Sequence, residues 1–268
     1  MADYAQVHYR RCGFTAPTSR KTLRRRFLAL PAFLHSFMPE VASQAGVLDE
    51  RFRFRSAFVD TSLFRALGRL WHKKHMKQGL VPHRSIDTEA SWGKSPYHRW
   101  RFGYGLHGLA TRLRFPVMVV VTTARAKDYH QLLGLLTPLA RGCQLVIGDA
   151  GYRSIRVIME VWKRLRIFVL TRTSCKGESA QKAWYNRMLA HASVAVLYSR
   201  RKPAIELVFS ILKELFSLQG EQQLPYKGLA KVEAYLMLVT ASLQVMMLFN
   251  SIHQPRLQAT RPFRFAFD

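Results

Sequence analysis

The sequence predicts an α/β protein, a mixed sheet with helices on its faces. Two patterns carry that expectation. Three strand-like runs come first, and strand and helix patterns then alternate until two long apolar helices close the order. A third observation concerns the partner: 42 Lys and Arg face 16 Asp and Glu over 268 residues, a net charge of +26. Such an excess attracts polyanions, with nucleic acid the leading candidate and an anionic membrane the second.

The elements follow in chain order. FRSAFVDTSLF (54–64) and RFGYGLHGLATRL (101–113) read as strands, and FPVMVVVTTA (115–124), dense in β-branched residues, as a buried third. YHQLLGLLTPLAR (129–141) reads as a helix, CQLVIGD (143–149) as a short strand ending in an acid, and SIRVIMEVWKRLR (154–166) as an amphipathic helix. RIFVLTRTS (166–174) is another strand. PAIELVFSILKELFSL (203–218) is a helix with Pro203 at its start, and LAKVEAYLMLVTASLQVMMLFN (229–250) is a last, mostly buried helix. The uncharged run from Ala234 to Asn250 has nearly the length of a membrane span, but its Thr240, Ser242, Gln244 and Asn250 favour a core helix.

Upstream, Thr18 or Ser19 caps a helix through TLRRRFLAL that is expected to stop at Pro31, with a second short helix after it. Residues 1–52 thus form a basic helical segment, 53–250 the main unit and 251–268 a basic tail. Three cysteines without C-x-x-C spacing exclude a disulfide framework and a four-cysteine zinc site, and fit a reducing cytoplasmic setting. The first residues carry no apolar stretch of the signal-peptide kind.

Acids are scarce enough for position to matter. Asp60 follows Ala-Phe-Val and Asp149 follows Leu-Val-Ile-Gly, each at the end of an apolar run. A carboxylate there loses hydration unless a positive group meets it, although strand-end turns and helix caps also use Asp. On the 203–218 helix, Ile205, Val208, Leu212, Leu215 and Phe216 make an apolar face, and Glu206, Ser210, Lys213 and Ser217 a polar stripe. Two Asp and a Glu are hard oxygen ligands suited to Mg²⁺ or Mn²⁺, which serve phosphoryl transfer. Sequence pattern does not pair the three in space, and a solvated helix face accounts for Glu206 equally well.

The segments FVDTS, SIDTEASWGKSPYHRWRFGYGLH, VIGDAGY and RKPAIELVFSILKELF, in this order, resemble the catalytic core of DDE transposases from bacterial insertion sequences. The resemblance covers roughly residues 55–250. It implies a ribonuclease H-like fold, a five-stranded mixed sheet flanked by helices, here with a short helical N-terminal extension. It implies that Asp60, Asp149 and Glu206 are the catalytic, metal-binding triad for Mg²⁺, with Mn²⁺ as a substitute. It also implies double-stranded DNA partners (transposon ends and target), a homo-oligomer on DNA, and a cytoplasmic, nucleoid-associated setting in a bacterium. The family's Tyr–Arg–Glu–Lys signature maps onto Tyr198, Glu206 and Lys213. Arg201 stands one residue further from Glu206 than the signature's Arg, and Lys202 has the usual spacing. Ala150 stands where members usually carry Lys. Members also carry a fuller N-terminal DNA-binding domain, and the basic helix with Arg24 and Arg25 resembles its end. A truncated remnant that only binds nucleic acid, or a nuclease on the same fold, are the alternatives.

Residues 65–127 hold thirteen Lys or Arg against Asp87 and Glu89. Within them Lys94, Arg99, Trp100 and Arg101, with Trp92 and Tyr97, interleave cations and aromatics, which suits phosphate contact and base stacking. A structural hairpin with core aromatics fits the same pattern. His72 and His75 have ligand-like spacing but no completing pair, so a zinc site is not expected. Asp87 and Asp128 read as surface charges or caps, with a place beside the metals as the alternative.

Overall fold

The computed structural model describes residues 15, 18–80, 85–95, 99–139, 142–171, 176–177 and 179–253. The expected basic tail beyond 253 and most of the first seventeen residues lie outside them.

Five strands build the central sheet in the order β4-β3-β1-β5-β6, and a sixth is added at one edge. Strand β1 (Ser56–Arg65) pairs antiparallel with β3 (Arg99–Ala110), which pairs antiparallel with β4 (Pro116–Thr123). On its other side β1 pairs parallel with β5 (Leu145–Gly148), and β5 pairs parallel with β6 (Phe168–Thr171). This is the ribonuclease H-like arrangement. The addition is β2 (Ser91–Ser95), which pairs with residues 99–103 of β3, while β4 pairs with 104–110. Because Gly103 meets Arg65 of β1 and Ser91 of β2, those two strands occupy opposite edges of β3. The expected sheet therefore gains a strand where SWGKS shows too little alternation to announce one.

The N-terminal segment departs from expectation. Helix α1 (Arg20–Leu48) is continuous through Pro31 and Pro39, with Ser19 as cap accepting from Thr22 N at 3.2 Å. An interior proline costs about 3 kcal/mol in helix propensity. Tertiary packing offsets this: Leu34, Met38, Ala42 and Ala45 recur on one face and are buried, and Pro39 is buried with them. Their partners are β4 and the last helix, α8 (Leu229–His253). Gln244 of α8 ties the three together, donating to Met38 O at 3.0 Å and Pro116 O at 2.7 Å. By length and composition α8 could cross a membrane. In this fold Val232, Leu236, Val239, Leu243 and Met247 are buried in the core.

The acids of the basic 65–127 stretch cap α8. Asp87 accepts from Gly228 N at 3.0 Å and from Tyr104 Oη at 2.7 Å, and Glu89 accepts from Leu229 N at 2.8 Å. Both sit where the helix dipole favours an anion. Two short helices are α2 (Lys73–Lys77) and α3 (Leu132–Leu136), the latter continuing into 3₁₀ turns instead of the single helix expected over 129–141. Helix α4 (Ile155–Leu165) follows β5 as the pattern predicts. Helices α5 (Ala180–Leu189) and α6 (Ala192–Ser199) have no sequence expectation. Helix α7 (Arg201–Leu215) starts two residues before the expected proline, so Pro203 lies in its first turn, where a missing N–H has no partner to lose.

Candidate functional site

A cleft of about 1010 Å³ opens beside the central strands, and Asp60, Asp149 and Glu206 all line it. Sheet register explains the first two. Phe58 pairs with Ile147 on parallel neighbours, and the same offset carried two residues on sets Asp60 beside Asp149, just past the end of β5. Glu206 arrives from α7, which packs on β1 and β3. Gly108, the cross-strand partner of Asp60, permits that approach: a Cβ there would come within 3.2 Å of the Phe209 ring. Ile205, Val208, Phe209 and Leu212 bury the apolar side of α7, and Glu206, Ser210 and Lys213 reach the cleft.

Asp60 is 17% exposed and is met by Arg201, whose Nη1 donates to Asp60 Oδ2 at 2.8 Å. The same guanidinium lies 3.6 Å from Glu206 Oε1, so one cation bridges two of the three acids. Its Cζ stands 5.8 Å from the Tyr198 ring, its Nε is buried without a partner among the described residues, and the side chain is only 8% exposed. Asp60 Oδ1 accepts from Thr61 N at 2.9 Å. Burial raises the Asp60 carboxyl to about 6, against the lowering pull of Arg201 and the Thr61 N–H, while the charge of Asp149 adds to the rise. Asp149 caps the turn after β5, its Oδ1 accepting from Gly151 N at 2.8 Å.

Thr61 and His107, which pattern and resemblance did not assign, join the site, and with them Asp128, whose alternative reading put it beside the metals. Thr61 Oγ1 lies 2.8 Å from His107 Nδ1, 3.0 Å from Asp128 Oδ1 and 2.8 Å from Tyr152 Oη. His107 is 1% exposed, and its Nε2 is 2.8 Å from Thr122 Oγ1. Burial lowers His107 to about 4, so the ring is neutral at pH 7. Burial also raises Asp128, opposed by the Thr61 hydroxyl, with the Asp149 charge adding to the rise. The available signals were a lone histidine inside the apolar run GYGLHGLA and a threonine directly after Asp60.

The cationic candidates divide. Lys213, Arg201, Lys94 and Trp100 line the cleft, and Trp100 is 52% exposed. Burial and the neighbouring Arg101 lower Lys213 to about 8, and its Nζ stands 5.1 Å from the Phe64 ring. Arg101 turns inward instead: it is 6% exposed, donates to Gly220 O at 3.1 Å and pairs with Glu221 at 3.5 Å. Its guanidinium holds the 220 loop and is not presented to a DNA phosphate. Arg24 and Arg25 are exposed on α1 and do not line the cleft. The side chains of Lys202 and Arg99 lie outside the described residues.

By donor chemistry, Asp60, Asp149 and Glu206 fit a hard divalent cation such as Mg²⁺. As the side chains stand, no three acids, histidines or cysteines among the described residues form a metal-holding group. The positive charge between Asp60 and Glu206 is that of Arg201.

No curated protein matches the sequence significantly. Among solved structures, the cryo-EM structure of a piggyBac transposase synaptic complex with hairpin DNA is similar over 79% of this chain, at 9% identity and a TM-score of 0.47. The chain spans about half of that one, 51% of its length. The family described as the transposase DDE domain matches residues 58–245, from within β1 to within α8. That match covers most of the sequence, and the chain belongs to the DDE-domain transposases.

Proposed function

We propose that this chain catalyses metal-dependent DNA strand cleavage and strand transfer in the movement of an insertion sequence. The supporting observation is that Asp60, Asp149 and Glu206, far apart in the sequence, line one cleft together with Arg201 and Lys213. DDE transposases in general use divalent metals. Asp60, Asp149 and Glu206 would hold Mg²⁺, or Mn²⁺ in its place. Bound there, the metal would supply Lewis acidity to a phosphoryl transfer in which water attacks phosphorus in line and the bridging 3′-oxygen leaves as a 3′-hydroxyl, which in turn attacks a target phosphodiester and displaces its 3′-oxygen.

The chain's own residues supply the rest. Lys213 and Lys94 place positive charge along the wall of the cleft, where a flanking phosphate would lie, and Trp100 offers an exposed ring to an unpaired base. Arg201 neutralises Asp60 and Glu206 in the metal-free state, and a planar guanidinium is equally suited to a phosphate once a metal takes over that role. Arg24 and Arg25, with Tyr198 and Lys202 around α7, complete the proposed DNA contacts. The partners are transposon ends and target DNA, bound by a homo-oligomer in the bacterial cytoplasm.

Cleavage and joining assays on terminal-repeat and plain duplex DNA test the proposal. Asp149→Ala is expected to abolish Mg²⁺-dependent cleavage while DNA binding is kept or tightened. Cleavage at the wild-type rate would remove Asp149 from the site. A chain that only binds DNA would leave both substrates intact with Mn²⁺, and a nuclease on this fold would nick without joining.

A further inference from the structure

We infer that Asp128 and Thr61 are positioning residues of the carboxylate cleft: Asp128 receives the Thr61 hydroxyl and sets a fourth negative charge beside Asp149, and Thr61 passes that anchorage to Asp60. The inference rests on reading the cleft as a divalent-metal site.

Counting protons gives the network a direction. Thr61 Oγ1 has one proton to donate and three neighbours. Tyr152 is fully buried, and its hydroxyl is 2.8 Å from Thr61 Oγ1, so the phenol donates and Thr61 accepts. The Thr61 proton is then contested by Asp128 Oδ1 and His107 Nδ1. In one arrangement Thr122 donates to His107 Nε2, the ring proton sits on Nδ1 and points at Thr61, and Thr61 donates to Asp128. Every group is satisfied. In the opposite tautomer Thr122 turns to Thr123 O at 3.1 Å, His107 takes the Thr61 proton, and Asp128 loses its donor. A hydrogen bond to a carboxylate is roughly twice as strong as a neutral one, which selects the first arrangement. Three elements, β3, the turn after β4 and the turn after β5, thus converge on one hydroxyl, and the residue carrying it holds Asp60 Oδ1 through its backbone N–H.

The second half of the inference concerns charge. Gly151 separates Asp128 from Asp149, and a Cβ at that position would lie 2.4 Å from Asp128 Oδ2 and 3.0 Å from Asp149 Oδ1. A side chain at 151 would press on both carboxylates, and glycine leaves the space between them open. Like charges that close in a half-buried cleft are tolerated when a cation answers them. Asp128 therefore sits beside Asp149, across Gly151 from it.

The test is Mn²⁺ binding to the full chain without DNA, followed by electron paramagnetic resonance of the free ion, with thermal melts alongside. Asp128→Asn is expected to weaken Mn²⁺ about tenfold, the lower range for residues that support metal ligands. Thr61→Val, which keeps shape and loses the hydroxyl, should weaken it similarly, and Thr61→Ser should stay within about twofold of wild type on the same ground. If Asp128→Asn does not fold, the Thr61→Val and Thr61→Ser pair decides alone. Folded variants that bind Mn²⁺ as wild type does, or that lose only melting temperature, would overturn the inference. A wild type that binds no Mn²⁺, or an Asp149→Ala variant that binds it unchanged, would instead strike the metal-site reading beneath it.

Discussion

Asp60 should destabilise the metal-free protein that depends on it. Its carboxyl rises from 3.8 to about 6, chiefly because β1 and α7 take it out of water, and Arg201 compensates only in part. At about 1.4 kcal/mol per unit, the ionised group costs the fold roughly 3 kcal/mol relative to its protonated form. The sign follows from the direction of the shift. A raised folded value means that the folded chain holds the proton more tightly than the unfolded one. The penalty is complete above about pH 6 and disappears as pH falls toward 3.8. Asparagine imitates the protonated acid in shape, and its amide oxygen still accepts from Arg201. Asp60→Asn should therefore raise metal-free stability at pH 7.5 by up to about 3 kcal/mol, or about 6–12 °C in melting temperature for a chain of this size. Below pH 4 the gain should vanish. Urea titrations and thermal melts in chelator, from pH 4 to 8, read the effect directly. Added Mn²⁺ should stabilise wild type and not the variant. A variant less stable than wild type at pH 7.5 in chelator would refute the reasoning, because Asp60 would then be a stabilising partner of Arg201 and not a group held against its solvation.

Further outcomes follow from neighbouring residues. His107, lowered from 6.5 to about 4 by burial, contributes stability that is present above pH 6.5 and lost as pH falls through 4, opposite in slope to Asp60. His107→Gln should therefore unmask a metal-free stability that rises on acidification, seen in urea midpoints between pH 7 and 4. Gly151→Ala forces a methyl group to 2.4 Å from Asp128 Oδ2, and should cost about 1–3 kcal/mol of overpacking along with Mn²⁺ affinity. Lys213→Ala removes one cation from the cleft. Duplex binding should weaken, and the log–log salt slope should fall by about 0.9, as measured by fluorescence anisotropy across a salt series.

The sequence made some elements legible and hid others for identifiable reasons. Strands β1, β3, β4, β5 and β6 announce themselves because their apolar runs are buried against helices on the sheet faces. Strand β2 does not, since SWGKS is short, carries Gly93 and Lys94, and lies at an edge. Helix α5 buries only Tyr185 of its ten residues and gives almost no periodic signal. Pro31 misleads because the local cost of a proline is visible in sequence, whereas the packing of α1 on α8 is a long-range fact.

The site divides in the same way. Asp60, Asp149 and Glu206 stand out through strand-end position and family resemblance, yet their meeting depends on the parallel register of β1 and β5 and on Gly108 under Phe209. By spacing Lys202 fits the signature and Arg201 stands one residue too far; by residue type Arg201 matches, and the start of α7 at Arg201 turns that side chain inward to Asp60. Arg101 looked like a surface cation, and only the fold of the 220 loop over it shows an internal link. Asp128 reads first as a surface charge or cap, because its contacts with Thr61 and Asp149 come from elements far away in sequence.

The most direct measurement is anomalous scattering from a crystal of the full chain soaked in Mn²⁺. The account predicts manganese in the cleft in contact with Asp60, Asp149 and Glu206, with the Arg201 guanidinium moved off Asp60. Manganese bound elsewhere, or a cleft in which Arg201 still bridges Asp60 and Glu206 at saturating Mn²⁺, would contradict it.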